Sequence, residues 1–486
     1  MGRIWDSLQN RISKMPMAVV VAPFAMGIFF ANMVAIPVWL LLLTCVASLA
    51  AVIALTKWLQ NIAIFAMIFS VGALMHSLSY SNEPTYSKPV EMLLGVETSS
   101  VERKGYTSAE ARIEASADNS LSGSNVVVWG DSLTKFRAGD RLRLATIVRP
   151  FKADHKRYAE LMHHRGFIGS VSINRNTSYE YIPAERETLH DIAVARLQGA
   201  MSEGDARAVV LAMTTGERSE ISSELRQSYS ASGASHLLAV SGLHIGIAFM
   251  LINFLLFPLV LLHYGNVVRS IATVALIWLY VWLCGMSPSA VRAAIMFSLL
   301  QLSLYSLREY ASINILAGTA FVMLAFNSHL LFDISFQLSF IAVAGIILWA
   351  MPLYRLCATR FRLINSLIGV MLVGIASTLA TMPLVSETFS VVSLVGILIN
   401  PVVIFLANIV VLAGIVAIAL PFTALVAEYA AKLQNIVVEW AASLPYGHLE
   451  VAIPEWAMWM LYAIFAVATL LVWMLPKREK EMKIEG

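Results

Sequence analysis

Apolar positions in this chain come in long unbroken runs, near residues 17–35, 37–56, 60–79, 236–262, 267–284, 288–306, 311–327, 333–352, 364–384 and 455–475. A helix needs roughly 20 apolar residues to cross the hydrocarbon core of a bilayer, so each run predicts a transmembrane helix. The stretch 391–445 has room for at least two more, with ambiguous internal breaks. Between the third and fourth runs lies a polar island, about 81–230. In its middle, SNVVVWGD at 124–131 and DRLRLATIVRP at 140–150 partly alternate apolar with polar residues between Gly and Pro punctuation, which predicts strands. A small antiparallel barrel is their simplest arrangement. From 187 to 230 the period becomes helical with charges opposite the apolar positions, predicting amphipathic helices outside the bilayer or along its interface.

Composition agrees with a lipid environment. Hydrophobic residues make up 58% of the chain and charged residues 13%, against about 25% charged in soluble domains. The fold class expected is therefore a polytopic α-helical membrane protein with a small extracytoplasmic β-barrel inserted after the third transmembrane helix. Positive charge fixes the orientation: Arg3, Arg11 and Lys14 precede the first span, Lys57 follows the second, Arg355, Arg360 and Arg362 follow the span ending near 352, and Lys477–Lys483 close the chain. The positive-inside rule makes these segments cytoplasmic, both termini included, and places the polar island outside. No A-x-A-like cleavage site follows the basic start, so the first span is expected to be retained. The organisation expected is 1–80, three N-terminal helices; 81–185, the barrel; 186–232, interfacial helices; 233–475, the main transmembrane domain; and 476–486, a basic tail. Cys45, Cys284 and Cys357 fall in or beside apolar runs with no metal spacing, which suits a filling role.

Polar residues inside spans normally face the protein interior or a wet cavity, because lipid exposure is costly. GASHLLAVSGLHIG, from Gly233, holds His236, Ser241 and His244 in such a run. In one unbroken helix the histidines would share a side and Ser241 could touch His244, while Gly242 and Gly246 would admit a close neighbour. Hydrogen bonding to a neighbouring helix is the plainer alternative, and a serine beside a histidine also invites a hydrolase reading, weakened by the lack of a G-x-S-x-G elbow. CGMSPSAVRAAIMF at 284–297 offers Ser287 as an N-cap, Pro288 as the first helical residue and Arg292 one turn in, an anion-binding arrangement unless Arg292 snorkels to the interface. In FDISFQLSF at 332–340, Asp333 and Gln337 share one face and three phenylalanines another; Asp333 serves equally as an N-cap. Asn400–Pro401 implies a broken helix lining a cavity, or a packed kink.

Outside the spans, residues 135–165 carry Lys135, Arg137, Arg141, Arg143, Arg149, Lys152, Lys156, Arg157 and Arg165 against three acids, a net +6, with Phe136, Phe151 and Tyr158 interleaved. Such a patch suits a phosphate backbone with stackable bases, or simply a solvated face.

In their order and spacing, GASHLLAVSGLHIGI, GMSPSAVRAAIMF and FDISFQLSF resemble the signature segments of the ComEC family of competence proteins, channels that carry incoming single-stranded DNA across the bacterial cytoplasmic membrane. FRAGDRLRLATIVRPFKADHKRYAELMHHRGFIGS resembles that family's extracytoplasmic OB-fold domain, and the resemblance covers roughly 20–475. It implies a DNA path lined or shaped by His236, Ser241, Gly242, His244, Ser289, Arg292, Asp333 and Gln337, to which the polar break at Asn400 is added, with no catalytic residues, metal or cofactor. It also implies single-stranded DNA and the lipid bilayer as partners, with a separate nuclease, a cytoplasmic ATPase or helicase and extracytoplasmic DNA-delivery proteins. About eleven residues follow the last span and there is no HxHxDH cluster or phosphate-binding G-x-x-x-x-G-K-[ST] loop, so neither nuclease activity nor nucleotide hydrolysis is expected. A small-solute or ion transporter, or a membrane-embedded enzyme using Ser241 and His244, are the rival classes.

Overall fold

The computed structural model describes residues 15–474 except 35, 80–88, 99, 104–105, 119–120, 132–135, 152–158, 160–161, 164–165, 175–176, 184–187, 304–310, 390, 394, 445–447 and 452. Three helices open the chain, α1 (Pro16–Met33), α2 (Val38–Ala54) and α3 (Lys57–Ser79). Gly27 and Gly72 let α1 and α3 cross backbone against backbone, since a Cβ on Gly27 would run into the Phe69 carbonyl and one on Gly72 into the Phe24 carbonyl. Small residues of this kind are what membrane helices use where apolar burial gives no preference for protein over lipid.

The polar island folds as strands β1 (Val90–Val96), β2 (Val101–Arg103), β3 (Tyr106–Ser116), β4 (Asn125–Asp131), β5 (Arg141–Thr146), β6 (Phe167–Ile173) and β7 (Tyr179–Ile182). Their order is β6-β4-β3-β1-β5-β7, with β2 paired to β3. Leu142 and Leu144 of β5 are buried with Met92 and Leu94 of β1, while Arg141 and Arg143 point outward, as period-two alternation requires. The expected antiparallel barrel is not what forms. Among the described residues the strand order ends at β6 and β7, β4 pairs with β6 in parallel, and β6 meets the chain after β5 only through the Arg149–Ser170 bridge, so the sheet is mixed and not closed.

Helices α4 (Leu189–Ala200), α5 (Asp205–Thr214) and α6 (Ser223–Ala231) lead back to the membrane domain. Helix α5 is enclosed by protein: Ala206 and every residue from Ala208 to Thr214 are buried, packed on α14 (Val395–Ala419) and α15 (Ala424–Ala442). Its charges sit at its N-terminal end, where Arg207 binds Glu220 at 2.9 Å, and its apolar middle faces protein on all sides. A Cβ on Gly414 of α14 would collide with Thr214, so this packing also needs a glycine.

The remaining elements are α7 (Gly242–Leu255), α8 (Gly265–Leu283), α9 (Pro288–Ser303), α10 (Ala311–Phe326), α11 (Ile334–Gly345), α12 (Met351–Cys357), α13 (Arg362–Phe389), a two-stranded ribbon of β8 (Val391–Ser393) and β9 (His448–Glu450), and α16 (Glu455–Met474). A π-helical turn at Ile346–Ala350 joins α11 to α12 in one apolar segment. Six helical segments among the described residues are long and apolar enough to cross a membrane. The N-terminal unit is fastened to this domain by Phe24 against Phe321, ring centroids 4.9 Å apart, and Phe29 against Phe332 at 6.3 Å.

Candidate functional site: a polar junction between α7, α9 and α14

The run read as one span at 236–262 is broken. A 3₁₀ turn covers Ser235–Leu238, α7 starts only at Gly242, and a second 3₁₀ turn covers Phe257–Leu261. His236 and His244 are therefore on different elements, though still within electrostatic reach of each other. His236 is exposed on the 3₁₀ turn. The turn is fixed by Gly233, whose φ of +78° favours glycine and whose Cα approaches Gly396 at the start of α14.

Ser241 has extended backbone and precedes α7 as its N-cap residue. The Ser241 backbone N–H donates to His244 Nδ1 at 3.2 Å. The Ser241 side chain stands at the His244 backbone N–H in a capping box without a hydrogen bond of full geometry, and His244 Nε2 is buried without a partner. This geometry lacks the hydroxyl-to-imidazole bond that an activated serine requires.

The second motif is locked onto the first. Ser289 donates a hydrogen bond to the Val240 carbonyl, and Gly242 and Gly246 of α7 face Ala293 and Phe297 of α9, so the glycine pair does serve a close helix approach. Ahead of α9 the chain turns through two left-handed residues, Gly285 (φ 72°) and Met286 (φ 52°). A non-glycine residue held there stores strain. Pro288 is the first helical residue, as expected, but Ser287 does not cap the helix, because its hydroxyl is buried without a partner. Arg292 does not snorkel. It is 3% exposed, and its Nε and Nη1 have no acceptor. It sits in the first turns of α9, within electrostatic reach of Asp333.

The third motif is spent largely on local structure. Asp333 is buried and caps α11, its Oδ1 accepting from the Phe336 N–H at 2.8 Å, while Gln337 donates to the Leu331 carbonyl at 2.9 Å. Asp333 still lies within electrostatic reach of Arg292, without forming an ion pair. Asp333→Ala is expected to destabilise by about 0.5–2 kcal/mol through loss of the cap, and Asp333→Asn, which can still accept from Phe336, by much less; thermal denaturation of the two variants checks this. The helix is not broken at Asn400–Pro401: α14 continues through Pro401. Asn400 is one turn beyond Gly396 on the same face, and its Oδ1 is buried without a partner.

In the sheet domain the basic patch is partly neutralised. Arg141 binds Glu114 at 2.8 Å and Arg143 binds Glu180 at 2.9 Å, whereas Arg137 and Arg149 are exposed. Lys135, Lys152, Lys156, Arg157, Arg165 and Tyr158 lie outside the described residues. Phe136 cannot stack on a base, since it is 3% exposed in the sheet core, and Phe151 packs edge-on against His163.

One feature escaped the sequence. His190 of α4 bonds the Leu283 carbonyl at 2.8 Å through Nδ1 and pairs with Glu217 at 3.6 Å through Nε2, tying the lead-in helices to the end of α8. The Glu217 hydrogen bond raises the His190 pKa. Burial alone would raise the Glu217 carboxyl, but His190 and Ser219 outweigh it and bring it to about 2. The stabilisation linked to Glu217 is present above its unfolded value near 4.5 and is lost as pH falls towards about 2. That linked to His190 is full below 6.5 and is lost as pH rises through its raised folded value. The tie should therefore be tightest between about pH 4.5 and 6.5. Hydrogen exchange across α4 should increase above that window, and His190→Gln should abolish the pH dependence.

An open sheet before a domain of long apolar helices, in which the first two motifs pack on each other, defines a polytopic helical membrane protein. The Competence protein family model matches residues 213–476, more than half of the chain, and the chain belongs to that family, to which the ComEC proteins belong. It is 25% identical over 277 residues to ComE operon protein 3 of Bacillus subtilis, covering 56% of this chain and 34% of that one. It is 28% identical over 244 residues to an uncharacterised protein of Aquifex aeolicus, covering 48% and 55%. It is also 28% identical over 237 residues to the uncharacterised protein YcaI of Escherichia coli, covering 46% and 31%. The chain thus spans from just under a third to just over half of these relatives' lengths. No solved structure matches it.

Proposed function

We propose that this protein is a conduit for single-stranded DNA across the bacterial cytoplasmic membrane during natural transformation, with both termini cytoplasmic and the sheet domain outside. The observation that carries this is the junction itself. In a member of the Competence family, His244, Ser287, Arg292 and Asn400 all present buried polar atoms without protein partners. Such atoms are costly in a closed fold, and a polar strand passing between α7, α9 and α14 would satisfy them. Numerous individually weak contacts suit a moving polymer better than a dense basic ring. The sheet domain would collect the strand through its exposed arginines, an OB-like role without a closed barrel. A separate nuclease, a cytoplasmic ATPase or helicase and extracytoplasmic delivery proteins would supply strand degradation, force and substrate.

Deleting the gene should reduce transformation by externally added DNA to background while labelled DNA still accumulates outside the cytoplasmic membrane. Normal transformation in the deletion strain would end this proposal. Ser241→Ala should change uptake little, because the hydroxyl has no chemical role in a conduit; abolition of uptake in a folded Ser241→Ala protein would favour an enzyme. Arg137→Glu with Arg149→Glu should weaken binding of single strands to the full chain, and should flatten the salt dependence by about 0.7 in log–log slope for every phosphate that is no longer neutralised.

A further inference from the structure

We propose that the first turn of α9 is a binding site for one phosphodiester group, closed in this structure, with Arg292 as its anchor and the Ser287 hydroxyl as a second donor; the identity of the ligand as a DNA strand rests on the conduit reading above. Three observations converge on an anion. A buried guanidinium is ordinarily paired, yet Arg292, 3% exposed, leaves Nε and Nη1 without acceptors. The carboxylate that acts on it, Asp333, commits one oxygen to the Phe336 N–H and makes no ion pair with it. Second, α9 is 16 residues long and its start carries the unsatisfied N–H groups and positive end of the helix dipole. Ser287 stands where a cap would neutralise them, and its hydroxyl is buried and unpartnered instead. Third, the start of α7, which carries the buried and unpartnered His244 Nε2, packs on α9 where Gly242 approaches Ala293 and Ser289 bonds the Val240 carbonyl.

The donors select the ligand. The guanidinium fork matches two oxygens of one phosphate, which a chloride ion does not offer. A DNA strand is favoured over a lipid headgroup by position: Arg292 is enclosed by a helix that packs on α7, α8, α10 and α11, not held on a lipid-facing surface. Because the site is closed, occupancy requires α9 to part from α7, and a phosphate would then give Nε and Nη1 the acceptors that Asp333, held by its cap, does not supply. Each phosphate would be held and released in turn as the strand advances.

The test uses the full chain in nanodiscs. Inorganic phosphate, compared with chloride at matched ionic strength in neutral lipid, should raise the apparent melting temperature of the wild type and leave that of Arg292→Gln unmoved. Arg292→Gln should bind a short oligothymidylate about ten- to hundredfold more weakly, yet melt no lower than wild type, since it removes an unpaired buried charge. Arg292→Lys, which keeps the charge and loses the fork, should fall between them. Equal phosphate responses in wild type and Arg292→Gln, or none in either, would overturn the site. A phosphate response abolished by anionic phospholipid would assign it to a lipid headgroup and overturn the strand assignment. A phosphate response that persists while the deletion strain transforms normally would uphold the anion site and remove the conduit reading alone.

Discussion

Gly233→Val is expected to abolish DNA uptake and to destabilise the protein by several kcal/mol. The residue sits at φ +78°, where a β-branched side chain is strained by about 1–3 kcal/mol. Its added Cβ would stand 2.7 Å from Ser393 Cβ and 2.9 Å from its hydroxyl, which accepts from the Gly396 N–H at 3.1 Å. Relief requires separating the 3₁₀ turn that carries His236 from the start of α14, the contact that holds the first motif next to Asn400. Ser393→Ala removes the hydroxyl without adding bulk, and should cost far less. Transformation frequency and thermal stability of the purified chain would be measured together; a stable Gly233→Val protein with normal uptake would show that this interlock has no part in the path.

The second large effect is expected in the N-terminal unit. Gly27→Leu should detach α1 from α3, because the crossing leaves no space between Gly27 and the Phe69 carbonyl or between Gly72 and the Phe24 carbonyl. Overpacking a close contact costs about 1–3 kcal/mol or more, and a backbone contact cannot yield as a side chain can. Phe24 and Phe29 would lose their places against Phe321 and Phe332, the latter preceding the Asp333 cap. Disulfide crosslinking between cysteines placed on α1 and α10 should drop sharply in Gly27→Leu, while Gly199→Ala, where a Cβ meets nothing within 4 Å, should behave as wild type.

The long spans were legible because bilayer thickness imposes a length that few other structures need, and the two helices expected in 391–445 are there as α14 and α15. The glycine pair at 242 and 246 was legible for the same reason that it works: only small residues permit that approach. The break before α7 was hidden because polar residues in an apolar run were read as decorations of one helix, whereas Ser241 and Gly233 end it. That α5 is enclosed by protein is not legible in the sequence, because charge at its N-terminal end mimics a polar face when averaged over the segment, whereas Val209–Met213 are buried. The parallel β4–β6 pair depends on a connection through 132–166 that no local pattern encodes. Asn400–Pro401 fits a broken helix or a packed kink alike, because a proline frees a carbonyl in either case; α14 continues through it. Among the site residues, sequence identified Arg292 and His244 as unusual; that they lack partners, and that Asp333 and Gln337 have them, required coordinates.

In the proposed conduit a single strand passes beside the 3₁₀ turn that carries His236. In a background with Cys45, Cys284 and Cys357 replaced, a cysteine would be placed at position 236, and transforming cells would be given single strands carrying a thiol-reactive group. Covalent adducts should form at position 236 and not at position 276 on α8, an exposed apolar residue in a lipid-crossing helix. Adducts at 276 as readily as at 236, or at neither while transformation proceeds, would contradict a DNA path through this junction.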